Sequence, residues 1–137
     1  STGRLHISFP ISMRELPAVG LMLDCRSDAQ SLFLNCSESD VTAAEVIRCI
    51  FQRLPPSLQE LGLDFCGCRN MTDEAVSVLA ASLPSTLKVL QMDLAKCDLL
   101  TDVAVAALGQ HIPETVQKWA LDLCDCTNLR DAGRLRR

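Results

Sequence analysis

One string of residues recurs at a fixed interval, and that interval limits the folds open to the chain. Positions 58–84 read LQELGLDFCGCRNMTDEAVSVLAASLP, and positions 87–113 read LKVLQMDLAKCDLLTDVAVAALGQHIP. A third copy opens at 116 as VQKWALDLCDCTNLRDAG, so copies start 29 residues apart, at Leu58, Leu87 and Val116. Each copy reads as a short strand, a turn and a helix. A unit of that size cannot bury its own apolar side, so it must stack on its neighbours. The pattern predicts an α/β solenoid of parallel strands and outer helices.

The strands are predicted from alternation. Leu61, Leu63 and Phe65, with Leu90, Met92 and Leu94 and with Trp119, Leu121 and Leu123, point to one side. The helices are predicted over 42–54, 73–83 and 102–112. Their apolar stripes are Val46, Ile47, Ile50 and Leu54, then Ala75, Val76, Leu79 and Leu83, then Ala104, Val105, Leu108 and Ile112. Thr42, Thr72 and Thr101 stand at the cap positions. Thr42 with Glu45 reads as a capping box, and prolines at 55, 56, 84 and 113 close the helices.

Residues 1–31 fit the repeat poorly. Pro10 and Pro17 break the region between two short apolar pieces, 5–9 and 19–23. Leu21-Met22-Leu23-Asp24 looks like the repeat strand Leu61-Gly62-Leu63-Asp64 but lies too near Leu32 for a whole unit. That spacing suits a hairpin through Arg26-Ser27-Asp28, making 1–31 an irregular N-terminal cap on repeats over 32–137. Those repeats number about three full copies and one truncated copy. The alternative takes Leu5-His6-Ile7 as a degenerate repeat strand. The last copy ends in Asp131-Ala132-Gly133 and a basic tail, Arg134-Leu135-Arg136-Arg137, which implies an open edge that further repeats or another protein would cover.

The bulk chemistry narrows the function. Hydrophobic residues make up 48% of the 137 positions, enough for a core, and the net charge of −4 argues against nonspecific nucleic-acid binding. No apolar run reaches the roughly 20 residues a membrane helix needs. The start STGRLHISFPI has no secretory pattern. Of the eight cysteines, Cys66, Cys68, Cys97, Cys124 and Cys126 recur at repeat positions, and Cys25, Cys36 and Cys49 lie earlier. Recurrence points to buried, reduced thiols, and so to a cytoplasmic or nuclear setting; an organelle is compatible with a removed targeting segment. Cys-x-Cys pairs can ligate zinc, but no His or Cys-x-x-Cys completes a tetrahedral set, so no metal and no cofactor are expected. With only His6 and His111, and no phosphate loop or nucleophile motif, the chain is not expected to be an enzyme.

Once aligned, the unit resembles a leucine-rich repeat. Leu58-x-x-Leu61-x-Leu63, then Cys68, then Met71-Thr72-Asp73 follow that family's pattern. Leu87-x-x-Leu90-x-Met92 with Cys97, and Val116-x-x-Trp119-x-Leu121 with Cys126, repeat it. The turn is similar to cysteine-containing repeats of F-box adaptors, and the 29-residue period is closer to ribonuclease-inhibitor-like repeats. Four residues rather than two separate Leu63 from Cys68, so either Cys66 or Cys68 holds the family position, with Cys68 favoured by its spacing to Met71.

The resemblance implies a short horseshoe with strands on the concave side, helices on the convex side, and a binding surface on the concave strand face. There the outward columns are Phe33, Gly62, Gln91 and Ala120, mixed and small enough to leave room for a ligand, and Asn35, Asp64, Asp93 and Asp122. A third, Glu60, Val89 and Lys118, is mixed. Three carboxylates on strands ~4.8 Å apart repel, and their pKa values should rise modestly. The resemblance thus implies a non-catalytic interaction module or scaffold for a protein partner with a basic segment, within a hetero-complex. Alternatives are a structural subunit with buried ends, and the substrate-recognition part of an F-box-type ubiquitin-ligase adaptor.

Overall fold

The structure is a computed structural model and describes residues 3–129. The turn at 131–133 and the basic tail lie outside them. Within them, strand and helix alternate: β1 Arg4–Ile7, α1 Leu16–Asp24, β2 Ser31–Asn35, α2 Ala43–Cys49, β3 Glu60–Asp64, α3 Asp73–Ala81, β4 Val89–Asp93, α4 Asp102–His111 and β5 Lys118–Asp122. The five strands form one parallel sheet in sequence order. Leu32, Leu61, Leu90 and Trp119 lie in register, as do Asn35, Asp64, Asp93 and Asp122.

Alternation then sorts the side chains. Leu32, Leu34, Leu61, Leu63, Phe65, Leu90, Met92 and Leu94 are buried on the helix side with Val46, Val76, Leu79, Ala104 and Leu108. Trp119, Leu121 and Leu123 face the same way but are only half-buried, because no helix follows β5 among the described residues. Units are stitched by their backbones. The carbonyls of Gly3, Gln30, Gln59 and Lys88 each accept two N–H groups from the next unit, at 2.7–3.1 Å. Ser57 and Thr86 add hydroxyl bonds to the Ala29 and Leu58 carbonyls, both at 2.8 Å.

The first 31 residues correct one expectation. No hairpin forms through Arg26-Ser27-Asp28; residues 16–24 are a helix. Pro17 sits in its first turn, where the missing N–H costs nothing. Leu16, Val19, Gly20 and Leu23 face inward at helical spacing. The segment Leu5-His6-Ile7 lies in β1, pairing Leu5 with Leu32, which is the degenerate-strand alternative.

The helices also differ in detail. The stretch 42–54 divides into α2 and a 3-10 turn over Phe51–Arg53, because Leu54 precedes proline and is held extended (φ −63°, ψ 137°). Thr42 Oγ1 accepts from the Glu45 N–H at 3.3 Å, but the Glu45 carboxylate pairs with Arg48 at 2.6 Å instead of closing the capping box. Thr72 and Thr101 cap their helices as expected, and the next unit's Thr101 donates to Asp73 through its N–H (2.8 Å) and hydroxyl (2.6 Å).

One turn position takes a left-handed backbone after each of β2, β3, β4 and β5: Glu38 (φ 53°), Gly67 (φ 72°), Lys96 (φ 60°) and Asp125 (φ 60°). Only one is glycine. A left-handed L-residue costs about 1–2 kcal/mol, partly offset by the lower unfolded-state entropy of a non-glycine. Lys96→Gly is therefore expected to stabilise the chain by about 0.5–1 kcal/mol, read as a rise in urea midpoint. A fall would mean that Lys96 makes a compensating contact.

Candidate functional site

The sheet face turned away from the helices carries the outward residues of all five strands. Its acidic column is built by the turns. Asn35 Oδ1 accepts the Ser37 N–H, Asp64 Oδ1 that of Cys66, Asp93 Oδ1 that of Ala95, and Asp122 Oδ1 that of Cys124, each at 2.9 Å. A side-chain oxygen two residues ahead of the N–H it binds closes the turn leaving the strand. Asn35 also donates through Nδ2 to the Ser8 carbonyl at 2.8 Å.

These turn bonds occupy one oxygen of each carboxylate. Asp93, in the middle, has its pKa raised: partial burial is the larger cause, and Asp64 and Asp122 on the flanking strands add to it, against the Ala95 N–H bond. The expected rise is thus resolved for the central member of the column.

A carboxyl whose folded pKa lies above its unfolded value disfavours folding once ionised. That penalty is fully present above the folded pKa and fades as pH falls through it. Asp93→Asn keeps the oxygen acceptor, as Asn35 does in its own unit, and removes the charge. The variant is expected to gain a few tenths of a kcal/mol near neutral pH, because solvent still screens a half-buried carboxylate. The gain over wild type should shrink on acidification through the carboxylate range, as paired urea titrations would read.

The neighbouring column differs from expectation. Phe33 folds over Gly62, which is buried; a Cβ there would lie 2.5 Å from Phe33 Cδ1. The room expected at Gly62 is therefore filled by the chain's own ring. His6, which sequence reasoning left out of the site, pairs in register with Phe33, and their ring centroids are 4.6 Å apart. The degenerate-strand alignment of Leu5-His6-Ile7 was the signal that would have placed it. Gln91 and Ala120 are exposed. The face thus runs from an aromatic pair at β1 and β2 to carboxylates at β3, β4 and β5.

Beneath the turns runs a thiol ladder. Cys68 Sγ donates to the Cys36 carbonyl at 2.9 Å, Cys97 Sγ to that of Phe65 at 3.1 Å, and Cys126 Sγ to that of Leu94 at 3.0 Å. Cys68, rather than the half-buried Cys66, shares the buried column with Cys97 and Cys126. Burial pushes the thiol pKa of Cys97 to about 12 and that of Cys68 to about 11. Cys36, buried beside them, is pushed to about 12. Such thiols are protonated hydrogen-bond donors and weak nucleophiles. None of the eight cysteines, all among the described residues, is in a disulfide. Among the described residues no three His, Cys, Asp or Glu side chains converge as a metal set, and no helix is long and apolar enough to cross a membrane.

The arrangement offers hydrogen-bond acceptors and negative charge at regular spacing beside an aromatic pair. No family model matches the chain, and no curated protein matches it.

Proposed function

We propose that the chain is a leucine-rich-repeat module, a short horseshoe that binds a protein partner on its concave strand face without catalysing a reaction. One observation carries this reading. Asp64, Asp93 and Asp122 stand in register on adjacent strands, although Asn35 closes the same turn with a neutral oxygen. The turn needs an acceptor; it does not need charge. Three neighbouring carboxylates add repulsion that the fold could avoid, and a lysine- or arginine-bearing segment would relieve it. Buried, protonated thiols favour a reducing compartment, cytoplasmic or nuclear.

The test replaces all three aspartates by asparagine, which preserves the turn bonds and removes the charge. Partners captured from the native source by the wild-type chain and identified by mass spectrometry are then measured singly against the variant. Affinity for a partner's basic segment is expected to fall roughly threefold to a hundredfold, taking about 0.2–1 kcal/mol for each of the exposed ion pairs. Unchanged binding by a folded variant would refute the concave strip as the site.

A further inference from the structure

The rim where each turn enters its helix breaks its own pattern once. Positions 70, 99 and 128 form a row along the units. Asn70 Nδ2 donates to the Asp40 carbonyl and Asn128 Nδ2 to the Asp98 carbonyl, both at 2.8 Å, tying each turn to the preceding one. The middle member is Leu99, which cannot donate and is 55% exposed. Four residues on, at the start of α4, Val103 is 64% exposed where the preceding unit has Glu74. Elsewhere on these units the large aliphatic residues are mostly buried, so two exposed ones in a single turn-and-cap segment depart from the local rule. Such departures mark sites whose chemistry is not set by folding alone.

The charges around the pair set the partner. Asp98 adjoins Leu99, and Glu74 holds the place of Val103 one unit back; the cations near them in the repeat are Arg69, one unit back from Asp98, and Lys96, two residues before it. We propose that Leu99 and Val103 form a second docking surface, on the helix layer, for a basic amphipathic segment of a protein. Its aliphatic side chains would cover the pair, and its lysines or arginines would meet Glu74 and Asp98. This surface is separate from the concave face and does not depend on it.

The probe is a synthetic amphipathic helix of leucine and lysine, titrated into the isotope-labelled chain and followed by amide shifts. Two control peptides replace its leucines by serine or its lysines by glutamate. The leucine–lysine peptide is expected to move amides over 98–106, and both controls to bind about tenfold more weakly, in line with burial of one aliphatic side chain. Leu99→Asn supplies an amide able to reach the Arg69 carbonyl, so it should hold or raise the thermal midpoint while weakening the peptide about tenfold. Val103→Ser, which removes the apolar contact without adding charge, should weaken it by a similar factor. Loss of affinity at Leu99→Asn with the fold intact supports the proposal. Affinity unchanged in both variants, or shifts confined to β3, β4 and β5, would overturn it.

Discussion

Phe65→Ala is expected to cost roughly 3–5 kcal/mol, enough to unfold much of a marginal chain. Phe65 is 0% exposed and is the largest of the fully buried side chains. It follows β3 at the point where three bonds meet. Its N–H donates to the Asp93 carbonyl at 2.8 Å, its carbonyl accepts from Cys97 Sγ at 3.1 Å, and the Cys68 N–H donates to that same carbonyl at 3.0 Å. Truncation leaves a cavity beside a backbone that stitches two units together. The units after it place Leu94 and Leu123 at the same position, so Phe65→Leu should cost much less, about 1–2 kcal/mol. Urea unfolding followed by circular dichroism measures both. Equal losses would mean that the ring itself, rather than the filled volume, is required.

Gly20→Ala is expected to destabilise although alanine is the better helix former. In an open helix the exchange gains about 1 kcal/mol. Here an added Cβ would lie 2.3 Å from the Cys49 carbonyl oxygen and 3.2 Å from Arg53 Cδ. The nearest atom is backbone, so α1 must move away from α2. That overpacking costs about 1–3 kcal/mol, and the movement would pull Asp24 from Arg53, now 2.6 Å apart. The net effect should be a loss of about 1–2 kcal/mol, with early hydrogen exchange in β1 and α1. A gain in stability would mean that α1 is not seated on α2 through Gly20.

Much of the architecture was legible because the period was. The inward leucines, the threonine caps and the Asp64, Asp93, Asp122 column all follow from register and alternation. The first unit was harder. Leu21-Met22-Leu23-Asp24 imitates a repeat strand, and two prolines argue against helix, yet Pro17 falls in the one turn that tolerates it. Helical spacing of Leu16, Val19, Gly20 and Leu23 won, because it buries one face against the core. The site was half legible. Which side chains point outward could be read; that Phe33 would lie over Gly62 could not, because it depends on a ring's rotamer. The left-handed turn could have been read from Gly67 and weakly from Asp125, but Glu38 and Lys96 carry no sign of the backbone they adopt.

The two-pronged carbonyls of Gln30, Gln59 and Lys88 join each unit to the next, and each helix packs only on its immediate neighbours. No contact between elements closes the described chain upon itself. Mechanical load applied along the row would therefore pass through every seam in series, and the weakest seam alone would set the force at which it parts. A stretched molecule should lengthen in steps of one unit.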